Sequence, residues 1–158
     1  MRAEQATPAD IGELTELRLL YTAEDLGALR EADAAAMRER LPGWLRLHLG
    51  RNLFAYVVRA DGRIAACAFL LTVEKPMSPA FINGRTGIVL NVYTRPEHRR
   101  LGYARCIMRA LLADARRLAL CTVELKATEA GVPLYRDAGF ADDGSHYHAM
   151  KWKNPDFM

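Results

Sequence analysis

The chain has 158 residues, 51% hydrophobic and 26% charged, which suits one folded domain with its own core and excludes a disordered chain. Its 22 basic and 19 acidic residues leave a net charge of only +3, too mild for a nucleic-acid binder held by charge alone. No apolar run approaches the ~18 residues of a membrane span, and Met1-Arg2-Ala3-Glu4-Gln5 lacks the apolar core of a signal peptide, so a cytoplasmic protein without membrane contact is expected.

Thr7-Pro8-Ala9-Asp10 predicts a helix start: Thr7 caps, Pro8 suits the first turn and Asp10 completes a capping box. Ile11, Leu14, Leu17, Leu20 and Tyr21 then recur at helical spacing. An alanine-rich stretch from Glu24 to Leu41 predicts a second helix, broken by Pro42-Gly43, and Trp44 to Leu49 a short further turn. Leu53 to Val58 and Ile64 to Thr72 read as the strands of a hairpin turned at Asp61-Gly62. Lys75 to Gly87 reads as a loop and Gly87 to Tyr93 as a third strand. Ala104, Ile107, Met108, Leu111, Leu112, Ala115 and Leu118 form the apolar stripe of a helix that begins near Tyr103. Thr122 to Lys126 predicts a strand, and Val132 to Asp137 a short helix capped at Gly139. His146 to Trp152 predicts a last strand. This order describes a mixed α/β sheet with a βαβ unit at its centre.

The three cysteines, Cys67, Cys106 and Cys121, fit neither a disulfide set nor metal-ligand spacing, and predict buried thiols in a reducing compartment. His146 and His148 share a strand face, but without further ligands they read as surface residues and no metal is expected. Trp44 and His48, one helical turn apart, read as packing.

The turn Arg99-Arg100-Leu101-Gly102-Tyr103-Ala104 lies between the third strand and the third helix. From Arg95 to Arg109 five arginines stand against one acid, Glu97. A basic, glycine-containing turn at a helix start offers unpaired backbone N–H groups and the positive end of a helix dipole, and so predicts phosphate binding.

These residues resemble the acetyl-CoA signature of the GNAT superfamily of N-acetyltransferases. That signature is Arg or Gln, two residues, Gly, one residue, then Gly or Ala, matched by Arg99, Gly102 and Ala104, with Pro96 three residues upstream. The family's second signature, an Ala, then Leu-Tyr, then Gly-Phe, is similar to Ala130, Leu134-Tyr135 and Gly139-Phe140. The resemblance covers the chain from about Thr7 to Trp152. It implies a single α/β (α+β) domain: a mixed, mainly antiparallel central sheet, flanked by helices, whose parallel central strands splay apart to admit the cofactor. It implies acetyl-CoA as cosubstrate, no metal, and direct transfer in a ternary complex to a primary amine of a small molecule or peptide.

Residue by residue, the resemblance implies that the backbone of Arg99, Arg100, Leu101, Gly102, Tyr103 and Ala104 holds the pyrophosphate. Tyr93 and Thr94 would follow the pantetheine arm, and the N–H of Val92 would hold the thioester carbonyl. Thr128 and Ala130 would lie along the cofactor, and Tyr135 would protonate the departing thiolate. Proteins of this kind commonly form homodimers.

Where many members carry a glutamate as general base, Leu90 and Asn91 stand here. Glu124, on the strand bordering the cleft, is the base candidate by position; it shares a face with Thr122 and Lys126, a pattern that also fits a solvated stripe. Glu24 and Asp25, read as lying before the second helix, suit either helix capping or attraction of a cationic amine. A non-catalytic CoA-binding module of the same fold is the alternative reading. A nucleic-acid binder using the basic turn is opposed by the low charge and the lack of an aromatic-basic platform.

Overall fold

In the computed structural model, which describes residues 1–157, a five-stranded sheet is packed between helices. The elements are β1 (Ala3–Gln5), α1 (Ile11–Leu26), α2 (Glu31–His48), β2 (Leu53–Ala60), β3 (Arg63–Glu74), β4 (Arg85–Thr94), α3 (Tyr103–Arg117), β5 (Thr122–Glu124) and α4 (Val132–Asp137). Strand order follows chain order, β1 to β5; neighbours are antiparallel except β4 and β5, which are parallel. A parallel pair needs a crossover, and α3 supplies it.

Successive strand residues point to opposite faces, so the sheet carries two cores. On one face Leu53, Val57, Cys67 and Phe69 pack with Ile11, Leu14 and Leu17 of α1 and Leu45 of α2. On the other, Tyr56, Leu70 and Val89 pack with Ile107, Met108 and Leu111 of α3. β3 is apolar almost throughout because it is covered on both faces.

Several sequence expectations change here. α1 continues to Leu26 and ends on Gly27 at φ 78, so Glu24 and Asp25 occupy its last turn and do not cap the start of α2. α2 starts at Glu31 and runs unbroken through Pro42-Gly43 to His48. Proline inside a helix costs about 3 kcal/mol, and burial of Leu45, with Leu41 and Leu49 packed beside it, offsets that cost. β1, too short to show a pattern, is held by pairing Ala3–Gln5 with Tyr56–Val58. β3 runs on to Glu74 and β4 starts at Arg85, inside the expected loop, which is closed by the Lys75 N–H on the Gly84 carbonyl at 2.8 Å. The strand at Thr122 stops at Glu124, and His146 to Trp152 forms no strand. Of the cysteines only Cys67 is buried, its thiol pushed up to about 12 by burial; Cys106 is half-buried and Cys121 exposed.

The acid half of the capping box forms as expected: the Thr7 N–H donates to Asp10 Oδ2 at 2.8 Å, and Arg59 donates to Oδ1 at 2.9 Å. Burial raises the Asp10 pKa, but these bonds outweigh it and hold the carboxyl below the ordinary 3.8. A lowered folded pKa stabilises the protein above the unfolded value, and that stability disappears as pH falls through the folded one. Asp10→Asn is therefore expected to lower the melting temperature near neutral pH and to flatten the melting curve's dependence on pH below about 4, measured by thermal melts across pH 2.5 to 7.

Candidate active site

The site begins where β4 and β5 part. β5 pairs with β4 only at Thr86, Gly87 and Ile88, while β4 continues to Thr94 with no further strand on that side among the described residues. Beyond the split β4 is bulged: Asn91 and Val92 together stand opposite the single residue Ala68. Asn91 takes φ 53, a conformation asparagine tolerates better than most residues, and bulges of this kind re-aim backbone groups. Its side chain is buried, accepting from the Arg18 guanidinium at 3.2 Å and donating to Cys67 Sγ at 3.5 Å.

Arg18 in turn lies 5.6 Å from the Tyr21 ring. α1 thus reaches the bulge through Arg18, a residue not foreseen as part of a site. The available signal was Arg18 itself, a cation at i+4 from Leu14 and i+7 from Ile11 on the apolar stripe.

At the end of β4 the chain turns through Arg100 at φ 61 and Gly102 at φ 84 into α3. The first helical bond runs from the Cys106 N–H to the Gly102 carbonyl at 3.0 Å. Among the described residues, no group accepts from the backbone N–H groups of Arg100 through Arg105. Gly102, as the N-cap, brings no side chain to cap them. This is a continuous row of free donors at the positive end of a 15-residue helix.

The arginines contribute less than their number suggests. Arg95 is 7% exposed; its Nε donates to the Ile64 carbonyl at 2.8 Å, and its guanidinium lies 3.7 Å from both Glu13 and Glu16. Arg99 donates to the Thr94 carbonyl at 2.9 Å and to Glu24 at 2.7 Å, with its guanidinium over the Tyr93 ring. Arg105 pairs with Asp137 at 2.8 Å, tying the start of α3 to the end of α4. Arg100 and Arg109 have no acidic partner among the described residues. The free donors of this turn are therefore chiefly backbone N–H groups. The Arg99–Glu24 pair is 40% and 53% exposed, and a pair this open contributes at most about 1 kcal/mol, so an anion can compete for Arg99.

Tyr135 is set by local chemistry on both sides. After α4, the Gly139 N–H bonds the Arg136 carbonyl at 3.0 Å and the Phe140 N–H bonds the Tyr135 carbonyl at 2.9 Å. That is a Schellman end, made possible by Gly139 at φ 105. Its usual apolar contact is present, the Phe140 ring meeting the Tyr135 ring edge-on at 6.0 Å. The Gly-Phe pair thus locks the tyrosine in place. On the other side, a Cβ on Gly131 would lie 3.0 Å from the Tyr135 ring. Thr128 Oγ1 accepts from the Gly131 N–H at 3.2 Å, capping the turn that carries the exposed Ala130. Burial is the main cause that raises the Tyr135 pKa above 10, with Tyr21 adding to it.

Val92, Tyr103 and Tyr135 are each half-buried against the core on the α3 face. Glu124 sits at the last paired position, opposite Ile88, where the strands part; it is exposed and makes no ion pair among the described residues. No cluster of His, Cys, Asp and Glu suited to a metal ion, and no helix long and apolar enough to cross a membrane, occurs among the described residues.

The sequence matches the acetyltransferase (GNAT) family over residues 15–140, which includes the bulge, the turn and α4. The chain belongs to the GNAT acetyltransferase family. Solved GNAT-type structures share its fold. A predicted acetyltransferase from Clostridium acetobutylicum, solved with acetyl-CoA, superposes with a TM-score of 0.80 at 24% identity, over 95% of each chain. Glucosamine-6-phosphate N-acetyltransferase from Arabidopsis thaliana gives 0.70 at 15% identity, over 97% of this chain and 98% of that one. A ribosomal-protein-alanine N-acetyltransferase from Brucella melitensis gives 0.68 at 21% identity, over 96% and 100%. No curated protein matches the sequence. The expected mixed, mainly antiparallel sheet with a parting parallel pair is the GNAT architecture, although here β5 is the edge of the sheet rather than a central strand.

Proposed function

We propose that this GNAT protein moves an acetyl group from acetyl-CoA to a primary amine by direct transfer in a ternary complex. The observation that carries the reading is the row of unpartnered N–H groups from Arg100 to Arg105 beside the bulged, half-unpaired end of β4. A diphosphate is the anion such a row suits, because several donors converge on it without desolvating a side chain. A flexible thioester arm leading from that diphosphate would follow the free edge of β4 past Thr94 and Tyr93 to Val92. There a backbone N–H would meet the carbonyl oxygen as it gains negative charge.

Tyr135 donates its proton to sulfur as the C–S bond breaks. Taken alone this transfer is uphill, since a thiol has a pKa of about 8.5 and tyrosine about 10. It is completed by the proton released from the amine nitrogen as the C–N bond forms, so thiol, amide and neutral tyrosine result. Glu124 and Asp25 are acids without partners among the described residues and suit attraction of a protonated amine; Glu124 is the base we assign. Thr128 serves the reaction through the capped turn that positions Tyr135. The acceptor is a small-molecule or peptide amine rather than a nucleic acid, and the free thiols suit a cytoplasmic setting.

The presence of Leu90 and Asn91 where a base commonly stands favours a second reading, a CoA-binding module without turnover. Melting the protein with acetyl-CoA and CoA, then measuring thiol release across a panel of amines, separates the two. Binding at about 100-fold above Kd should stabilise the protein by about 2.7 kcal/mol. Stabilisation with amine-dependent thiol release supports transfer; stabilisation without release supports the module. No shift at millimolar acetyl-CoA would end both.

A further inference from the structure

Arg18 makes little use of its charge for a residue held partly away from water. It is half-buried on α1, and its hydrogen bond among the described residues is the 3.2 Å bond to Asn91 Oδ1. No acid among the described residues lies within ion-pair distance of it, whereas Arg95 lies against Glu13 and Glu16 and Arg99 donates to Glu24. A guanidinium carries five N–H donors, and a cation drawn out of water without a counter-charge costs stability. The Tyr21 ring, 5.6 Å away, offsets only part of that cost. Such a residue suits a negative charge that arrives with a ligand.

Its position says which ligand. Asn91, which holds the guanidinium, precedes Val92 on the bulge beyond the parting of β4 and β5, and consecutive Cα atoms are only about 3.8 Å apart. In the transfer reading, on which this inference rests, the Val92 N–H holds the thioester carbonyl. An amine attacking there comes within a few bonds' reach of Arg18. One unpaired arginine supplies a single positive charge, which a carboxylate matches and a phosphate dianion exceeds. The planar guanidinium fork also fits a carboxylate in a bidentate pair. Two turns along the same stripe of α1, Asp25 is exposed and without a partner among the described residues, and suits the ammonium of an approaching zwitterion.

We propose that the acceptor is a free amino acid whose carboxylate is bound by Arg18 and whose α-nitrogen takes the acetyl group. The carboxylate supplies the counter-charge that Arg18 lacks, and holding it sets the attacking nitrogen beside the bulge. Peptide N-termini and polyamines, which have no carboxylate close to the amine, are then poor acceptors.

Thiol release from acetyl-CoA is compared for the standard amino acids, their α-carboxamides and phosphoethanolamine. At least one amino acid should exceed its carboxamide about tenfold or more in kcat/KM, the worth of a hydrogen bond to a charged group. Arg18→Gln should remove that preference chiefly by raising KM, and Arg18→Lys, which keeps the charge but not the fork, should retain part of it. The carboxamide comparison uses the unaltered protein, so it decides the matter even where a variant folds poorly. Carboxamides or phosphoethanolamine accepted as well as any amino acid would overturn the proposal. So would an Arg18→Gln protein that loses kcat while its preference for the carboxylate persists. A second measurement needs no turnover: thermal shifts caused by N-acetyl amino acids and by their amides, with CoA present. With no thiol released from any amine, a shift that needs both the carboxylate and Arg18 would sink the transfer reading and keep the carboxylate site; no such shift would overturn the site as well.

Discussion

Tyr135→Phe is expected to lower kcat by on the order of 10²–10⁴-fold, the usual contribution of a positioned general acid. Acetyl-CoA binding and the melting temperature should change little. The substitution removes one hydroxyl and keeps the ring that packs on Phe140 and over Gly131, so the Schellman end of α4 survives. The pH profile gives a second check. Burial, with Tyr21 adding to it, raises the Tyr135 pKa, so its proton stays in place through neutral pH and any alkaline loss of kcat due to this group lies above 10. The Phe variant should lack that limb. Equal kcat in the two proteins, measured by thiol release at saturating acetyl-CoA, would remove Tyr135 from the mechanism.

Gly102→Val should raise KM for acetyl-CoA more than tenfold and abolish the thermal shift produced by CoA. At φ 84 a β-branched residue is strained by about 1–3 kcal/mol. A Cβ would find open space, with only the Met1 side chain at 4.0 Å, so the chain should still fold. The damage falls on the turn, where relief of the strain would disturb the row of N–H groups aimed at the anion. Gly50→Val is the control: Gly50 has φ 81 and nothing within 4 Å of its Cβ position, but it lies between α2 and β2. It should lose comparable stability and keep KM. If both variants bind acetyl-CoA as the unaltered protein does, the turn at Gly102 is not the anion site.

Features decided by a few neighbouring residues were legible before any coordinates. The Asp10 cap, the Asp61-Gly62 hairpin, the start of α3 at Gly102-Tyr103 and the Gly139 cap each depend on groups within four or five positions of one another. The same locality explains why the Leu-Tyr and Gly-Phe pairs were informative: the second pair is the end of the helix that the first begins to turn. The roles of the individual arginines were not legible. Nothing near Arg95, Arg99 or Arg105 in sequence reveals that Glu13, Glu24 and Asp137 await them.

By itself, then, the sequence determined α1, the β2–β3 hairpin and the run from β4 through α3 and β5 to α4, with the glycine turn between β4 and α3, because apolar period, caps and glycine placement act over one or two turns of chain. Tertiary structure decided the rest. It carried α2 through Pro42, since burial of Leu45 outweighs a missing N–H. It placed Asn91 in the bulge under Arg18, and it engaged Arg95, Arg99 and Arg105 with acids and carbonyls distant in sequence. It also left His146 to Trp152 without strand pairing among the described residues, because a strand exists only where its backbone finds a partner and that partner is not written in the local pattern.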